Sequence, residues 1–190
     1  MGLHSKDRFK KVDITDIAIK KVRRIVYKGL TEEQNDMLYR LSRFVLIQAQ
    51  QENDSNESAI TIDLNDLNGR FGTVNGTDHY VDVDADPVSY HLLRTGMFVA
   101  VIHNHPSTQT LSIEDVRFFL HFIRLKMMIV VSNQGTVHYL MKDNEYDYTA
   151  AEQLRRECVA DLTKDSSERE CYEAALDFLT HCSEAGLYYR

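Results

Sequence analysis

A chain of 190 residues with 43% hydrophobic content can bury one sizeable core, and two full domains are not expected. Acidic residues number 29 against 22 basic ones, a formal net charge of -7, which counts against a dedicated binder of the nucleic-acid backbone. No stretch reaches the length of a membrane span, which sets transmembrane functions aside.

The start, Met1 to Lys11, is polar and basic and lacks the apolar run of a signal peptide. The cations Lys10, Lys11, Lys20, Lys21, Arg23 and Arg24 read as a solvated helix face. Residues Ile14 to Lys28 place Ile17, Ile19, Val22, Ile25 and Val26 at loosely helical spacing, and Gly29 then stands where a C-cap would. Thr31 and Gln34 form a capping-box pattern. Behind them Met37, Leu38, Leu41, Phe44, Val45 and Ile47 predict a long helix from about Glu32 to Gln51. Glu52 to Ser58 is polar and loop-like. Ala59 to Leu64 alternates with period two and predicts a strand. Asn68-Gly69 and Asn75-Gly76 are turn signals, so Arg70 to Val83 gives short exposed strands or loops.

Pro87 to Leu93 predicts a short helix. Met97 to Ile102 is a continuous apolar run that suits a strand buried on both faces. Ser112 opens a helix over Ile113 to Leu125, with Val116, Phe118, Phe119, Leu120, Phe122 and Ile123 as its apolar residues. Met127 to Val131 is a second buried run. Asn133-Gln134-Gly135 turns the chain, and Thr136 to Leu140 returns as a hairpin partner. Thr149 to Leu162 and Ser167 to Ala185 predict two more helices, the second capped by Ser166 or Ser167. The order implies an α/β fold, a mixed β-sheet flanked by helices, with extra N- and C-terminal helices. Cys158, Cys171 and Cys182 are odd in number and match no C-x-x-C spacing, so reduced thiols in a soluble, cytoplasmic protein are expected.

The segment from Val101 to Asp115 carries the chemistry. His103 and His105 sit two apart at a strand end, so both imidazoles point to one face. Pro106 takes the chain out of the sheet. Ser112 then caps a helix, and Asp115 falls in its first turn. Two imidazoles and one carboxylate, with a fourth position left for water, make the arrangement of catalytic zinc. Alone, His-x-His is a weak signal and Ser-x-x-Asp is an ordinary capping box. Their combination is far more specific.

At these residues the sequence resembles the JAB/MPN (JAMM) metalloproteases, and the His-Asn-His-Pro-Ser spelling at His103 to Ser107 looks like their RadC-like branch. The resemblance covers roughly Glu57 to Lys142. It implies a mixed sheet flanked by helices, a zinc ion held by His103, His105 and Asp115, a Glu that moves protons for the attacking water, and a Ser, here Ser112, near the developing oxyanion. It divides the chain into an N-terminal helical segment packing on the core (1-53), a JAB/MPN-like zinc domain (54-145) and a C-terminal helical appendage (146-190). One departure stands out: the family usually has one more residue between the second His and the Ser. The Glu falls on Glu57, just ahead of the Ala59 strand, with Glu52 as runner-up.

The function implied is a zinc-dependent metallopeptidase or isopeptidase acting on a protein or peptide, not on nucleic acid. The alternatives are a RadC-like DNA-associated protein or nuclease, or a non-catalytic MPN-like scaffold. His79 with Asp78, Asp82, Asp84 and Asp86 could shape a substrate groove but read first as an exposed turn and strand. His121 and His138 read as packed histidines. Tyr188 and Tyr189 either pack a terminal helix or bind a partner.

Overall fold

A computed structural model describes residues 10–190. The stretch read for a targeting signal therefore lies, up to residue 9, outside the described residues. The chain runs through α1 (Asp16–Lys21), α2 (Glu32–Glu52), β1 (Ser58–Asp63), β2 (Gly72–Asn75), α3 (Pro87–Thr95), β3 (Val99–His105) and α4 (Ile113–His121). It continues through β4 (Leu125–Ser132), β5 (Val137–Lys142), α5 (Tyr148–Cys158), α6 (Glu168–His181) and β6 (Leu187–Tyr189). No helix of the described residues is long and apolar enough to cross a membrane.

The six strands form one mixed sheet in the order β2-β1-β3-β4-β5-β6. The central pair β3–β4 is parallel, with α4 as the crossover, and the other pairs are antiparallel. Both faces of β3 and β4 are covered, which is why these two segments read as unbroken apolar runs. Alternate residues feed two cores. Ile60, Ile62, Ala100, Ile102 and Ile129 pack with α2 through Leu38, Leu41, Val45 and Leu46. Val99, Val101, Met128, Val130 and Leu140 pack with Val116 and Phe119 of α4 and Phe178 of α6.

Three predicted elements are corrected. The helix expected over Ile14 to Lys28 is only Asp16–Lys21. Ile17 and Val26 are exposed, while Val22 and Tyr27 turn into the core. A β-branched run propagates a helix poorly, and the Tyr27 main-chain N–H donates to the buried Asn35 side chain at 2.8 Å instead of to a helix carbonyl.

The helix expected to reach Leu125 stops at His121. Its terminal carbonyls find a partner outside the helix, because the buried Lys142 side chain donates to the Phe119 carbonyl at 2.9 Å and the Phe122 carbonyl at 2.8 Å. At the other end, Ser167 to Ala185 is α6 followed by a 3-10 turn, Cys182–Ala185. Gly186 breaks it at φ 68°, and a Cβ there would lie 2.4 Å from the Glu145 carbonyl. The chain then adds β6 to the sheet, a strand absent from the sequence reading. Three residues are too short a run to show period-two alternation.

Candidate metal centre

The odd residues of β3 face the α4 side of the sheet, and the last two of them are His103 and His105, exposed by only 2% and 6%. The short loop after Pro106 delivers Ser112 and Asp115 to the same place. Ser112 is the N-cap of α4, and the capping box is complete: the Ser112 hydroxyl accepts from the Asp115 N–H at 3.0 Å, and the Asp115 carboxylate accepts from the Ser112 N–H at 2.7 Å. The Ser112 hydroxyl also donates to Asp115 Oδ2 at 2.7 Å. One small local motif thus fixes a carboxylate at the end of β3.

The three donors converge. His103 Nε2 and His105 Nε2 are 3.1 Å apart, and each lies 3.2 Å from an oxygen of Asp115. This group of two histidines and one carboxylate could hold a metal ion. The donor set fits a cation, because two imidazole nitrogens aimed at each other across a carboxylate need either a proton or a metal between them. Burial acts to raise the Asp115 pKa, but the facing His103 and His105 prevail and hold the carboxyl well below the ordinary range. Burial opposes charge on His105, yet Asp115 overcomes it and pushes the imidazole up to about 9.

Glu57 stands just ahead of β1, only 8% exposed, and lines the same cavity as His103, His105, Ser112 and Asp115. Burial pushes its carboxyl above the usual range, with His105 and His103 partly offsetting the rise. No described residue hydrogen-bonds its carboxylate. Its main chain, by contrast, is tied down: the Glu57 N–H donates to the Thr77 carbonyl at 2.8 Å, and the Glu57 carbonyl accepts from the Gly76 N–H at 2.7 Å. Glu52 is the exposed last residue of α2 and is not among the residues lining the cavity.

The clamp on this loop comes from the middle residue of His-Asn-His. Asn104 points away from the two histidines and is fully buried. Its oxygen accepts from the Ser58 N–H at 2.7 Å, and its amide donates to the Asn56 carbonyl at 3.0 Å and to Asn133 Oδ1 at 2.8 Å. Both neighbours of Glu57 are therefore gripped by the residue between the two histidines. Asn133 in turn donates to the Val12 and Ser55 carbonyls at 2.7 and 2.8 Å. The turn ahead of the clamp is strained, with Asp54 and Ser55 at φ 49° and 57°.

On the opposite flank, the main chain of Thr110 lies beside His105. The Thr110 hydroxyl meets the Tyr189 hydroxyl at 2.8 Å. The Tyr189 ring stacks on His138, so this terminal tyrosine braces the site loop from β6. Sequence reasoning missed Asn104, Asn133 and Thr110. The signal available for Asn104 was an amide inside an otherwise apolar strand, a residue type that is buried only when it is hydrogen-bonded.

No family model matches the chain, and no curated protein or solved structure matches it at a significant level. The remaining sequence readings therefore rest on geometry alone. Asp78, His79 and Asp84 do line the cavity, whereas Asp86 caps α3. His138 is half-buried, but His121 is exposed at the end of α4, its ring edge-on to Phe122, rather than packed inside. Within the basic segment Arg24 pairs with Asp36 and Glu32, and Lys11 with Asp54.

Proposed function

We propose that the chain is a zinc-dependent hydrolase of the JAB/MPN type, in its RadC-like branch, and that it cuts an amide bond in a protein or peptide. The observation that carries this reading is the convergence of His103, His105 and Asp115 beside a buried carboxylate, Glu57, that has no side-chain hydrogen bond among the described residues. Zinc is favoured over harder ions by its two imidazole ligands. One ligand atom from each of the three residues lies within 4.8 Å of the others, close enough for a single ion to take all three.

When bound, zinc polarises a carbonyl and makes water a nucleophile near neutral pH. The chain's own residues divide the remaining work. His103 and His105, fixed on a central strand, and Asp115, fixed by the capping box, set the position of the reaction. Glu57 takes a proton from the attacking water and returns it to the leaving nitrogen, a role suited to a carboxyl raised toward neutrality. Ser112 orients Asp115, and its hydroxyl must turn from that carboxylate to steady an oxyanion. A non-catalytic scaffold gives no account of a carboxylate standing beside the two histidines in this cavity.

Elemental analysis of purified protein tests the reading. About one zinc per chain is expected from one three-ligand site, and His105→Ala should remove most of it. Wild-type protein that carries no zinc, and takes up none when supplied, would overturn the proposal.

A further inference from the structure

We infer that the cleft over this centre takes a basic peptide, with a lysine or arginine side chain lying beside the scissile amide. The inference rests on the hydrolase reading above and adds the class of substrate. The cavity measures about 450 Å³, room for a few residues of chain. Its inner wall next to the histidines is apolar, built from Val83, Ile113, Phe118 and Met128. Its outer edge is acidic. Asp84, Glu114 and Glu168 line the opening, all three exposed, and among the described residues none of them forms a salt bridge. Asp84 also lies against the carboxylate of Asp82, a like-charged neighbour that a cation would relieve.

The lysine in the lining, Lys11, is already engaged by Asp54 at 3.3 Å and by Asn56 at 2.7 Å. Glu57, which has no side-chain hydrogen bond among the described residues, adds a further carboxyl to the lining of the same space. An apolar wall ending in carboxylates matches one kind of side chain best, a long methylene stem with a cationic head. A phosphodiester or an acidic peptide would meet like charge at that outer edge.

The test uses the full-length, zinc-supplemented protein and short fluorescein-labelled probes: a peptide containing Lys and Arg, the same peptide with those residues replaced by Glu, and a single-stranded oligonucleotide. Anisotropy reads binding, and mass spectrometry of the same samples reads cleavage. The basic peptide should bind about tenfold tighter than the acidic one, with the ratio shrinking as salt screens the carboxylates. An exposed pair is worth about two- to fivefold, so Asp84→Lys with Glu168→Lys should remove most of the preference while zinc content is unchanged. Should that variant lose its fold by circular dichroism, Asp84→Asn with Glu168→Gln should still weaken the preference severalfold. Equal affinity for the two peptides, or tighter binding of the acidic peptide or the oligonucleotide, would overturn the inference. Cleavage of both peptides at equal rates also overturns it but leaves the hydrolase reading intact. Preferential binding of the basic peptide without cleavage supports the binding surface and counts against the hydrolase.

Discussion

Glu57 and Glu52 are near neighbours in sequence, and both lie in a polar stretch that offers no periodicity to say which way a side chain points. The structure separates them: one is buried in the metal cavity, the other exposed at a helix end. The proposed base is a proton carrier and not a ligand. Glu57→Gln should therefore keep zinc and fold yet lower turnover by about 100-fold or more, while Glu52→Ala should be nearly silent. Steady-state rates alongside metal content decide the matter, and an active Glu57→Gln variant would remove the assignment. That His103, His105 and Asp115 come together was legible from sequence, because their spacing is imposed by local structure, period two on a strand and the first turn of a capped helix. Glu57 was preferred to Glu52 only by its place ahead of β1, because its approach to the histidines is made across strands.

At the scale of elements, β3 is more than a carrier of ligands. Its histidines face the cavity and its Asn104 faces the other way, so one strand positions both the metal site and the loop bearing Glu57. Removing that side chain leaves a buried N–H, a part-buried carbonyl and the Asn133 amide oxygen short of a partner. Each such group costs about 1–3 kcal/mol, so Asn104→Ala should destabilise the chain by at least about 3 kcal/mol in urea unfolding. It should also lower turnover more than it lowers zinc content. A variant as stable as wild type would show that the clamp is not needed. Most of the sheet was legible, since buried strands advertise themselves as apolar runs. The failures were at ends: α4 stops early because Lys142, distant in sequence, supplies its cap, and β6 follows a helix whose periodicity gave no warning of Gly186.

For the molecule as a whole, Lys142 sets a pH dependence of stability. Its amine sits over the rings of Phe119 and Tyr146 at 4.6 and 4.9 Å, and burial, with a smaller push from Lys126, lowers its pKa to about 7. The unfolded chain keeps that proton to about pH 10.4. Between the two values the unfolded state holds more protons, so stability rises with pH, and below the lower value the full cost of the buried charge is present. A neutral amine still has two N–H groups for the two carbonyls, so the helix cap survives deprotonation. Urea unfolding of wild type should show a rising free energy from about pH 7 to pH 9, and Lys142→Met should flatten that rise. A slope unchanged by the substitution would assign the effect to other groups.

The parallel β3–β4 pair and its crossover have a kinetic consequence. All three ligands lie within one strand–loop–helix unit, whereas Glu57 reaches them only after an antiparallel strand from far upstream has docked. Closing the short segment between His103 and Asp115 costs about 1 kcal/mol less chain entropy than bringing in β1. On the proposed reading, zinc would gather His103, His105 and Asp115 while the sheet is still open, and the binding energy so released would favour the β3–α4 unit as a starting point for folding. Stopped-flow refolding with and without zinc would show it as a faster folding phase, and identical rates would place metal binding after the sheet has closed. On this order of events the chain would hold the proposed metal before it could use it, and reactivity would arrive only when β1 brings Glu57 to the site.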